Sequence, residues 1–330
     1  QAHRKTGTVI DTDFPVEHKF DFLPDDAAPQ GVVSFLSIQE GCDKFCSFCV
    51  VPYTRGAEAS RPVASVIAEA KRMVAKGAKE LALLGQNVNA YHGEGPDGKI
   101  WSLTRLMQTL SEIEGLERIR YTTSHPNDMA DELILAHRDN AKLMPFLHLP
   151  VQSGSDKILR AMNRKHKADE FRRIVAKLKE LRPDMAFSSD FIVGHPGETD
   201  ADFEATMALI RETGFALAYS FTYSPRPGTP AAGLPQVETA VKDARLQELQ
   251  ALLRRQQDEF NAATVGLEMP VLFTGKGRYP GQIAGRSLWL QPVVVEHGQD
   301  LTGQVRMVKI HHANPNSLLG TLLEQETIAA

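Results

Sequence analysis

Residues 41–49 read Gly-Cys-Asp-Lys-Phe-Cys-Ser-Phe-Cys, and they contain all three cysteines of the chain, Cys42, Cys46 and Cys49. An odd number of thiols cannot pair off completely into disulfides, and the C-x3-C-x2-C spacing presents all three from one loop. Three thiolates can bind three irons of a [4Fe-4S] cube and leave the fourth iron open to another ligand. The stretch therefore predicts a single inorganic centre with a reactive open site, which the rest of the fold has to surround.

Two other interpretations of the cysteines stay open. A structural zinc ion needs four closed ligands, and the chain has eleven His residues that could supply the fourth, although none lies near the loop in sequence. Free cysteines also pack as small apolar side chains, since Cys is among the most buried residue types. Three packing cysteines would be scattered along the chain rather than confined to one loop, which favours the iron–sulfur centre.

The 330-residue chain has an ordinary globular composition, with 42% hydrophobic and 24% charged residues. Its length allows one large domain and a second small one, and no apolar run approaches the length of a membrane span. The net charge of −4 gives no general affinity for nucleic acid, so any RNA contact has to come from local patches. Unpaired cysteines indicate a reducing compartment, and we expect a cytoplasmic monomer that binds no membrane.

Between residues 32 and 224, short apolar runs alternate with amphipathic helical patterns. The predicted strands are Val32–Ser37, Glu80–Leu84, Ile119–Thr123, Phe146–Leu149, Ala186–Val193 and Ala218–Tyr223, and the predicted helices are Val63–Lys76, Leu103–Ile113, Asp131–Arg138, Ala168–Leu181 and Asp200–Thr213. Strands separated by helices of this length form right-handed βαβ crossovers and a parallel sheet. Six such units predict an α/β fold, a partly open (βα)6 barrel, with its chemistry at the carboxyl ends of the strands.

Unusual polar and glycine-containing segments follow the predicted strands. They are the cysteine loop and residues 84–87 (Leu-Gly-Gln-Asn), 123–126 (Thr-Ser-His-Pro), 149–155 (Leu-Pro-Val-Gln-Ser-Gly-Ser) and 190–198 (Asp-Phe-Ile-Val-Gly-His-Pro-Gly-Glu). A single glycine after a strand is as often an ordinary turn residue. Because the carboxyl ends of parallel strands meet at one rim, the repetition of such segments predicts a ligand site there.

Four longer strings resemble the radical S-adenosylmethionine methylthiotransferases. They are residues 41–56 (GCDKFCSFCVVPYTRG), 84–91 (LGQNVNAY), 149–155 (LPVQSGS) and 223–230 (YSPRPGTP). An aromatic residue directly before the third cysteine, here Phe48, belongs to the superfamily signature. The second and third strings most resemble the members that act on N6-dimethylallyladenosine in tRNA. Members that act on threonylcarbamoyl-adenosine in tRNA, or on an aspartate of a ribosomal protein, differ in these two strings.

The resemblance implies a [4Fe-4S] cluster on Cys42, Cys46 and Cys49, with S-adenosylmethionine as the second cofactor. It implies cofactor contacts at positions of the rim, namely Phe48, Gly85, Gln86, Asn87, Ser124, Gln152, Ser153, Asp190 and Gly194. No catalytic side chain is assigned. His195 stands where we expect an apolar aromatic residue, and it could alter the wall beside the adenine ring.

The activity that the resemblance implies is methylthiolation of C2 of N6-dimethylallyladenosine at position 37 in the tRNA anticodon loop. A reduced cluster cleaves S-adenosylmethionine to methionine and a 5′-deoxyadenosyl radical, and that radical takes the C2 hydrogen. The partners would be a tRNA anticodon stem-loop, whose bases are already unpaired, and an electron donor such as a flavodoxin or a ferredoxin. Arg55 and Arg226 are candidate RNA contacts, as is Arg61, with surface ion pairing as the alternative.

The last third of the chain changes character. A helical linker from Glu238 to about Asn261 precedes short β patterns with glycine turns, which resemble a TRAM domain, a small all-β barrel that binds RNA in tRNA-modifying members. Its candidate RNA contacts are Lys276, Arg278 and Arg286, with Tyr279 or Trp289 stacking on unpaired bases. A purely structural cap is the alternative.

These patterns predict four parts: a connector at 1–30 from a missing amino-terminal domain, a radical S-adenosylmethionine core at 31–235, the linker at 236–263 and the TRAM-like domain at 264–327. Family members carry an amino-terminal domain whose three further cysteines hold a second, auxiliary [4Fe-4S] cluster that handles sulfur, expected only in the full-length protein. We therefore expect a fragment that cleaves S-adenosylmethionine and binds RNA without inserting sulfur. A non-catalytic RNA-binding protein with a structural metal is the alternative of another class.

Overall fold

The computed structural model describes residues 31–323. The connector expected at 1–30 and the expected domain end at 324–327 lie outside these residues. The strands of the first part are β1 Val33–Ser37, β2 Gln39–Glu40, β3 Ala59–Ser60, β4 Glu80–Leu84, β5 His92–Glu94, β6 Ile100–Ser102, β7 Arg118–Tyr121, β8 Phe146–His148, β9 Ala186–Val193 and β10 Leu217–Thr222. The helices are α1 Val51–Arg55, α2 Val63–Ala75, α3 Leu103–Ser111, α4 Asp131–Asp139, α5 Asp156–Ala161, α6 Ala168–Leu181 and α7 Asp200–Thr213.

Six of these strands form a parallel barrel. One sheet has the order β1-β4-β7 and the other β8-β9-β10, and a parallel bridge between Ile119 of β7 and Leu143 joins them. Within the described residues β10 and β1 do not pair, so the barrel is open along that seam. The prediction of a partly open (βα)6 barrel is confirmed.

Helix α6 illustrates why the helices form and pack. Its buried residues Ala168, Phe171, Val175 and Leu178 recur at helical spacing, and the Glu170 carboxylate accepts the Lys167 backbone N–H at 2.7 Å. Burying each large side chain contributes about 1.5–3 kcal/mol.

Strand register separates the outer face of the barrel from its inner face. Leu36 and Phe191 lie on the outer face, are fully buried and pack in the main apolar core with the helices. Side chains alternate along a strand, so their neighbours Phe35 and Asp190 project inward. Tyr219 is paired with Asp190 in the register and shares its face. The inner face is therefore lined by both aromatic and charged side chains.

A long helix, α8 Thr239–Ala263, leads to the last part of the chain, where β11 Glu268–Lys276, β12 Gln282–Arg286, β13 Pro292–Glu296, β14 Val305–Asn314 and β15 Ser317–Leu322 follow. The five strands close into a barrel in the order β11-β12-β13-β15-β14. It has its own apolar core, which includes Val271, Phe273 and Val308. The predicted small all-β barrel is confirmed.

No helix in the described part of the chain combines the length and the apolar character that crossing a bilayer requires.

Candidate functional site

The cysteine loop lies at the carboxyl end of β1, on the rim of the six-stranded barrel. Cys46 is buried, whereas Cys42 and Cys49 are half-buried. The Cys49 backbone N–H donates to the Cys46 carbonyl at 3.0 Å, and Phe45 has a φ of 47°. A left-handed bulky residue persists only where its surroundings hold it. The surroundings therefore hold the backbone of the loop that carries all three cysteines.

Hydrogen bonds from two glutamines anchor the loop to the segment after β4. Gln39 Oε1 accepts the backbone N–H groups of Gln86 at 2.9 Å and Asn87 at 3.0 Å, and its Nε2 donates to the Gly41 carbonyl at 2.7 Å. Gln86 Oε1 accepts the Gly41 N–H at 2.7 Å. A Cβ on Gly85 would lie 2.5 Å from Gln39 Oε1, so only glycine fits there. Gly85 and Gln86 thus support the loop, and sequence reasoning missed Gln39, which no motif marks.

The far side of the loop rests on the end of α5 and the residues after it. Ser47 Oγ donates to the Ala161 carbonyl at 2.8 Å, and Asn163 Nδ2 donates to the Phe45 carbonyl at 2.8 Å. Arg164 lies with Nη1 3.7 Å from Cys46 Sγ and also donates through Nη2 to the Pro150 carbonyl. A buried guanidinium beside a thiolate offsets part of its charge. Arg164 was not a sequence candidate.

Burial makes two of the three thiols harder to ionise than a free cysteine. Burial raises the pKa of Cys42 to about 11, with a further increase from Cys46, and burial also raises the pKa of Cys49. Thiolates in this loop therefore need strong positive charge nearby, which bound iron supplies. Within residues 31–323, no three His, Cys, Asp or Glu side chains converge as the ligands of one metal ion do.

Unpartnered polar atoms follow three neighbouring strands, at the rim that also carries the cysteine loop. Asn87 Oδ1 after β4, Ser124 Oγ after β7 and Gln152 Oε1 after β8 are buried without a hydrogen-bond partner. Each such atom costs about 1–3 kcal/mol, and Gln152 also has a φ of 75°. Three predicted cofactor contacts therefore leave buried polar atoms unpaired at the same rim. This indicates a site for a polar ligand.

An acidic and a basic side chain, Asp128 and Lys44, form an ion pair beside Asn87 at the rim. Asn87 Nδ2 donates to Asp128 Oδ2 at 2.8 Å, and Lys44 Nζ lies 2.7 Å from Asp128 Oδ1. Glu58 lies nearby, and burial raises the pKa of its carboxyl. The Asn87 amide is held so that its oxygen stays free. Neither Lys44 nor Asp128 was a sequence candidate.

A cleft of about 460 Å³ opens beside the third cysteine. Its walls are Phe48, Ile192, Ser220, Phe221, Thr222, Tyr223, Ser224, Arg226 and Leu246. Flat aromatic walls with hydroxyl groups between them suit an aromatic base and its sugar. Phe48 and Arg226, two of the sequence candidates, therefore lie together.

Three other predicted positions are placed differently. Ser153 is fully buried and its hydroxyl lies 3.2 Å from Thr206 Oγ1 on α7, so it faces the packing side. Asp190 lies on the inner face with Oδ1 3.6 Å from His148 Nε2. Gly194 has a φ of 72°, and a Cβ there would lie 2.2 Å from Lys242 Cγ of α8. Gly194 thus allows α8 to approach.

His195 is fully buried with its ring 5.3 Å from that of Tyr223, edge to face. Its Nε2 lies 3.4 Å from Ser47 Oγ in the cysteine loop, and burial lowers its pKa. A neutral imidazole at this position fills the space of an aromatic ring and adds a polar contact to the loop.

The candidate RNA contacts fall into three groups. Arg55 is exposed and ion-paired with Glu40 at 3.3 Å. Arg61 is only 6% exposed, forms a 2.6 Å ion pair with Glu69 and donates to the Ser37 carbonyl. Its expected RNA role is therefore wrong, because the guanidinium is enclosed in the fold.

The third group lies on the small barrel. Lys276, Arg278 and Tyr279 line one cleft of about 490 Å³ between the β11–β12 and β13–β14 connections; we call these three residues the tip. Tyr279 is 60% exposed. Arg286 is at the opposite end of β12, roughly 13 Å along the strand from Gln282. Sequence reasoning wrongly grouped Arg286 with the tip.

Trp289, the second stacking candidate, is half-buried at the junction between the two barrels. Its Nε1 donates to the Asp184 carbonyl at 2.8 Å, and its ring lies edge to face with Phe260 at 5.7 Å. The polar edge of Trp289 and its contact with Phe260 therefore belong to this junction.

Residues 36–210 match the radical SAM superfamily, and residues 262–323 match the TRAM domain. The barrel with its cysteine loop is thus that of a radical SAM protein, a class that implies a [4Fe-4S] cluster and S-adenosylmethionine. Over 322 residues the chain is 57% identical to the tRNA-2-methylthio-N(6)-dimethylallyladenosine synthase of Paracoccus denitrificans (strain Pd 1222), with 97% of this chain and 72% of that protein covered. The chain belongs to the family of these synthases.

Among solved structures, the radical S-adenosylmethionine methyltransferase TsrM from Kitasatospora setae, with cobalamin and a [4Fe-4S] cluster bound, superposes with a TM-score of 0.50 at 15% identity. The match covers 77% of this chain and 42% of that one. At this identity the likeness concerns the fold alone, and it agrees with the radical SAM barrel.

Proposed function

We propose that this chain serves the methylthiolation of C2 of N6-dimethylallyladenosine in the tRNA anticodon loop. The observation that carries the proposal is the group of unpartnered polar atoms beside the three cysteines, in a chain 57% identical to a synthase named for this product. Cys42, Cys46 and Cys49 hold the [4Fe-4S] cluster. When reduced, the cluster supplies the electron that cleaves S-adenosylmethionine and so starts hydrogen removal from C2.

The rim residues bind and orient the nucleoside cofactor. Asn87 Oδ1 and Gln152 Oε1 accept hydrogen bonds from its amino acid and ribose groups, and Ser124 Oγ accepts or donates one, since no protein group satisfies these atoms. The cleft at Phe48 takes the adenine ring between Ile192 and the end of β10. Fixing the cofactor this way places its reactive carbon and excludes water, which is the main contribution of the protein to this chemistry.

RNA is held by the tip. Lys276 and Arg278 supply positive charge for phosphates, and the exposed ring of Tyr279 offers a face on which a base can stack. Arg226 beside the cleft and Arg55 near the cysteine loop are further contacts on the side of the rim. The partner is a tRNA anticodon stem-loop, and a flavodoxin or ferredoxin delivers the electron to a monomeric, cytoplasmic enzyme.

Sulfur insertion needs a second metal site. All three cysteines of residues 1–330 lie in one loop, so an auxiliary [4Fe-4S] cluster needs thiolates from outside this sequence. The polypeptide 1–330 on its own should therefore remove the C2 hydrogen without forming the methylthio product.

Anaerobic reconstitution followed by reduction tests the proposal. With S-adenosylmethionine and a stem-loop deuterated at C2 of the prenylated adenosine, the deuterium should appear in 5′-deoxyadenosine by mass spectrometry. Absence of 5′-deoxyadenosine in all conditions would favour the non-catalytic RNA-binding alternative. A methylthiolated product from residues 1–330 alone would contradict the separation of hydrogen removal from sulfur delivery.

A further inference from the structure

The turn between β12 and β13, residues 287–291, attaches the small barrel to the large one; we call it the docking turn. Trp289 and Leu290 pack in an apolar cluster with Phe146, Ala186 and Ala216. Phe146 and Ala186 begin β8 and β9, and Ala216 directly precedes β10. The small barrel therefore sits at the amino-terminal end of the large barrel, opposite the rim that carries the cysteines.

Directional contacts fix the angle of this attachment. Arg118, the first residue of β7, is 3% exposed and donates to two carbonyls of the small barrel, those of Arg286 at 3.0 Å and Pro270 at 2.9 Å. Trp289 Nε1 donates in the opposite direction, to the Asp184 carbonyl at 2.8 Å. Two guanidinium bonds to backbone acceptors on different strands leave little freedom to rotate.

The docking turn is itself rigid. Ser287 Oγ accepts the backbone N–H groups of Trp289 and Gln291, each at 3.2 Å, and Gln291 Nε2 donates to Asn261 Oδ1 at the end of α8 at 2.8 Å. Leu290 has a φ of 64°, which a leucine adopts only when its surroundings hold it there. The turn thus holds its shape and is also tied to the linker.

This rigidity is more than tethering requires. A flexible linker suffices to raise the local concentration of a bound RNA. Here the linker is a 25-residue helix whose buried Leu249 and Leu253 share the core of the large barrel. The tip and the cysteine rim are separated by the height of the large barrel, roughly 26 Å for the eight-residue strand β9. Over that distance a tilt of about 5° at the docking turn displaces a bound base by about 2 Å, enough to cost about 100-fold in rate.

We propose that Trp289 and Arg118 are positioning residues, which set the angle at which RNA held by the tip presents its base to the radical site. This inference rests on the proposed function. It adds that the TRAM domain, besides binding RNA, orients the base relative to the radical site. Neither residue touches RNA or cofactor. The two functions of the small barrel, binding and orientation, then reside at its opposite ends and are separable by mutation.

The test compares Trp289→Ala and Arg118→Gln with Tyr279→Ala as the matched aromatic variant. Binding of a prenylated anticodon stem-loop to cluster-free protein is followed by fluorescence anisotropy. Transfer of deuterium from C2 to 5′-deoxyadenosine is measured by mass spectrometry at saturating RNA. In this transfer the C–D bond at C2 breaks and a C–D bond forms at the 5′ carbon. For Trp289→Ala and Arg118→Gln we expect affinity within about twofold of the parent protein, and transfer lowered at least about tenfold. RNA-independent cleavage of S-adenosylmethionine should be unchanged.

Tyr279→Ala should behave in the opposite way, with weaker binding but normal transfer once RNA saturates the protein. Amide hydrogen exchange of residues 287–291 in cluster-free protein should increase in Trp289→Ala, which reports release of the turn without any activity measurement. Transfer equal to that of the parent protein despite faster exchange would overturn the inference, as would loss of RNA affinity in Trp289→Ala. If Trp289→Ala does not fold, Arg118→Gln decides, because it removes hydrogen bonds without leaving a large cavity. No transfer in the parent protein would instead refute the proposed function itself.

Discussion

Gln39 and Gln86 are linked by a hydrogen bond at the base of the cysteine loop, and the side chains of both bind Gly41. Gln39 Oε1 accepts the Gln86 backbone N–H at 2.9 Å, and Gln86 Oε1 accepts the Gly41 backbone N–H at 2.7 Å. The pair joins the residue before the first cysteine to the segment after β4, which carries Asn87. The cysteine loop and the segment that carries Asn87 therefore hold one another in place.

Gln39→Leu should loosen the cysteine loop while leaving the barrel folded. It leaves three backbone groups without their partner, and we expect a loss of about 1–3 kcal/mol in unfolding free energy and fewer irons retained per chain. Iron content after reconstitution and urea unfolding are the measurements. Gln108→Leu on the exposed side of α3 is the matched control. Full iron content in Gln39→Leu would mean that the loop does not depend on this pair.

Each of Cys42→Ala, Cys46→Ala and Cys49→Ala should abolish the cluster, because two thiolates do not hold the cube. The parent protein should bind about four irons and four sulfides per chain, measured after anaerobic reconstitution. Circular dichroism should show that the barrel survives, since its core lies elsewhere. Stoichiometric zinc without sulfide would contradict the radical interpretation.

Arg245→Met should destabilise the protein and weaken cofactor binding together. Arg245 Nη1 lies 2.8 Å from Glu198 Oε1, which also accepts the Gly194 N–H at 2.8 Å, and burial already raises the pKa of Glu198. Removing one partner of a buried pair costs about 3–5 kcal/mol. Glu198→Gln combined with Arg245→Met should recover part of that stability in urea unfolding. If Arg245→Met bound S-adenosylmethionine with unchanged affinity, residues 194–198 would not contribute to the cofactor site.

Lys276→Ala and Arg278→Ala should each weaken stem-loop binding and lower the slope of log affinity against log salt by about 1. The tip places both side chains in one cleft with Tyr279. Lys309→Ala, an exposed lysine that lies 3.8 Å from Glu268, is the control. The measurement is the stem-loop affinity from anisotropy titrations across a range of salt concentrations. Equal slopes of log affinity against log salt in all three variants would indicate that the small barrel is only a structural cap.

Acid should destabilise the barrel through His137. This side chain is fully buried, its Nε2 lies 2.8 Å from Tyr121 Oη, and burial lowers its pKa to about 3. The unfolded state binds a proton near pH 6.5 and the folded state does not, so stability is full above pH 6.5 and falls as the pH drops towards 3. Between pH 7 and pH 5 this amounts to about 2 kcal/mol. His137→Gln should flatten that dependence in urea unfolding; an equally steep dependence would assign it to other groups.

Local sequence patterns were sufficient to predict the strands and helices of the large barrel. Strands Glu80–Leu84 and Ala186–Val193 and helices Ala168–Leu181 and Asp200–Thr213 were predicted with the bounds that the structure has. Apolar periodicity and helix caps depend on neighbours a few residues away, and both are readable in sequence. The rim followed, because the carboxyl ends of parallel strands always share one edge.

Removal of the small barrel would also disturb the large barrel. The docking turn packs against the first residues of β8 and β9, and Arg118 donates to the carbonyls of Arg286 and Pro270 in the small barrel. A chain that ends near Ala262 would expose this apolar cluster and leave a buried arginine without its acceptors. Loss of RNA binding in such a truncation would therefore not separate binding from stability.

The sequence by itself determined the C-x3-C-x2-C loop, the alternating strands and helices and the small β-barrel, because each follows from residues close together in the chain. Only the tertiary structure decided which way individual side chains face. Ser153 turns to Thr206, Trp289 to Asp184, and Gln39 supports a loop to which no motif connects it. These partners are 47 to 105 residues apart, and strand register and packing between distant elements, which no local pattern encodes, bring them together.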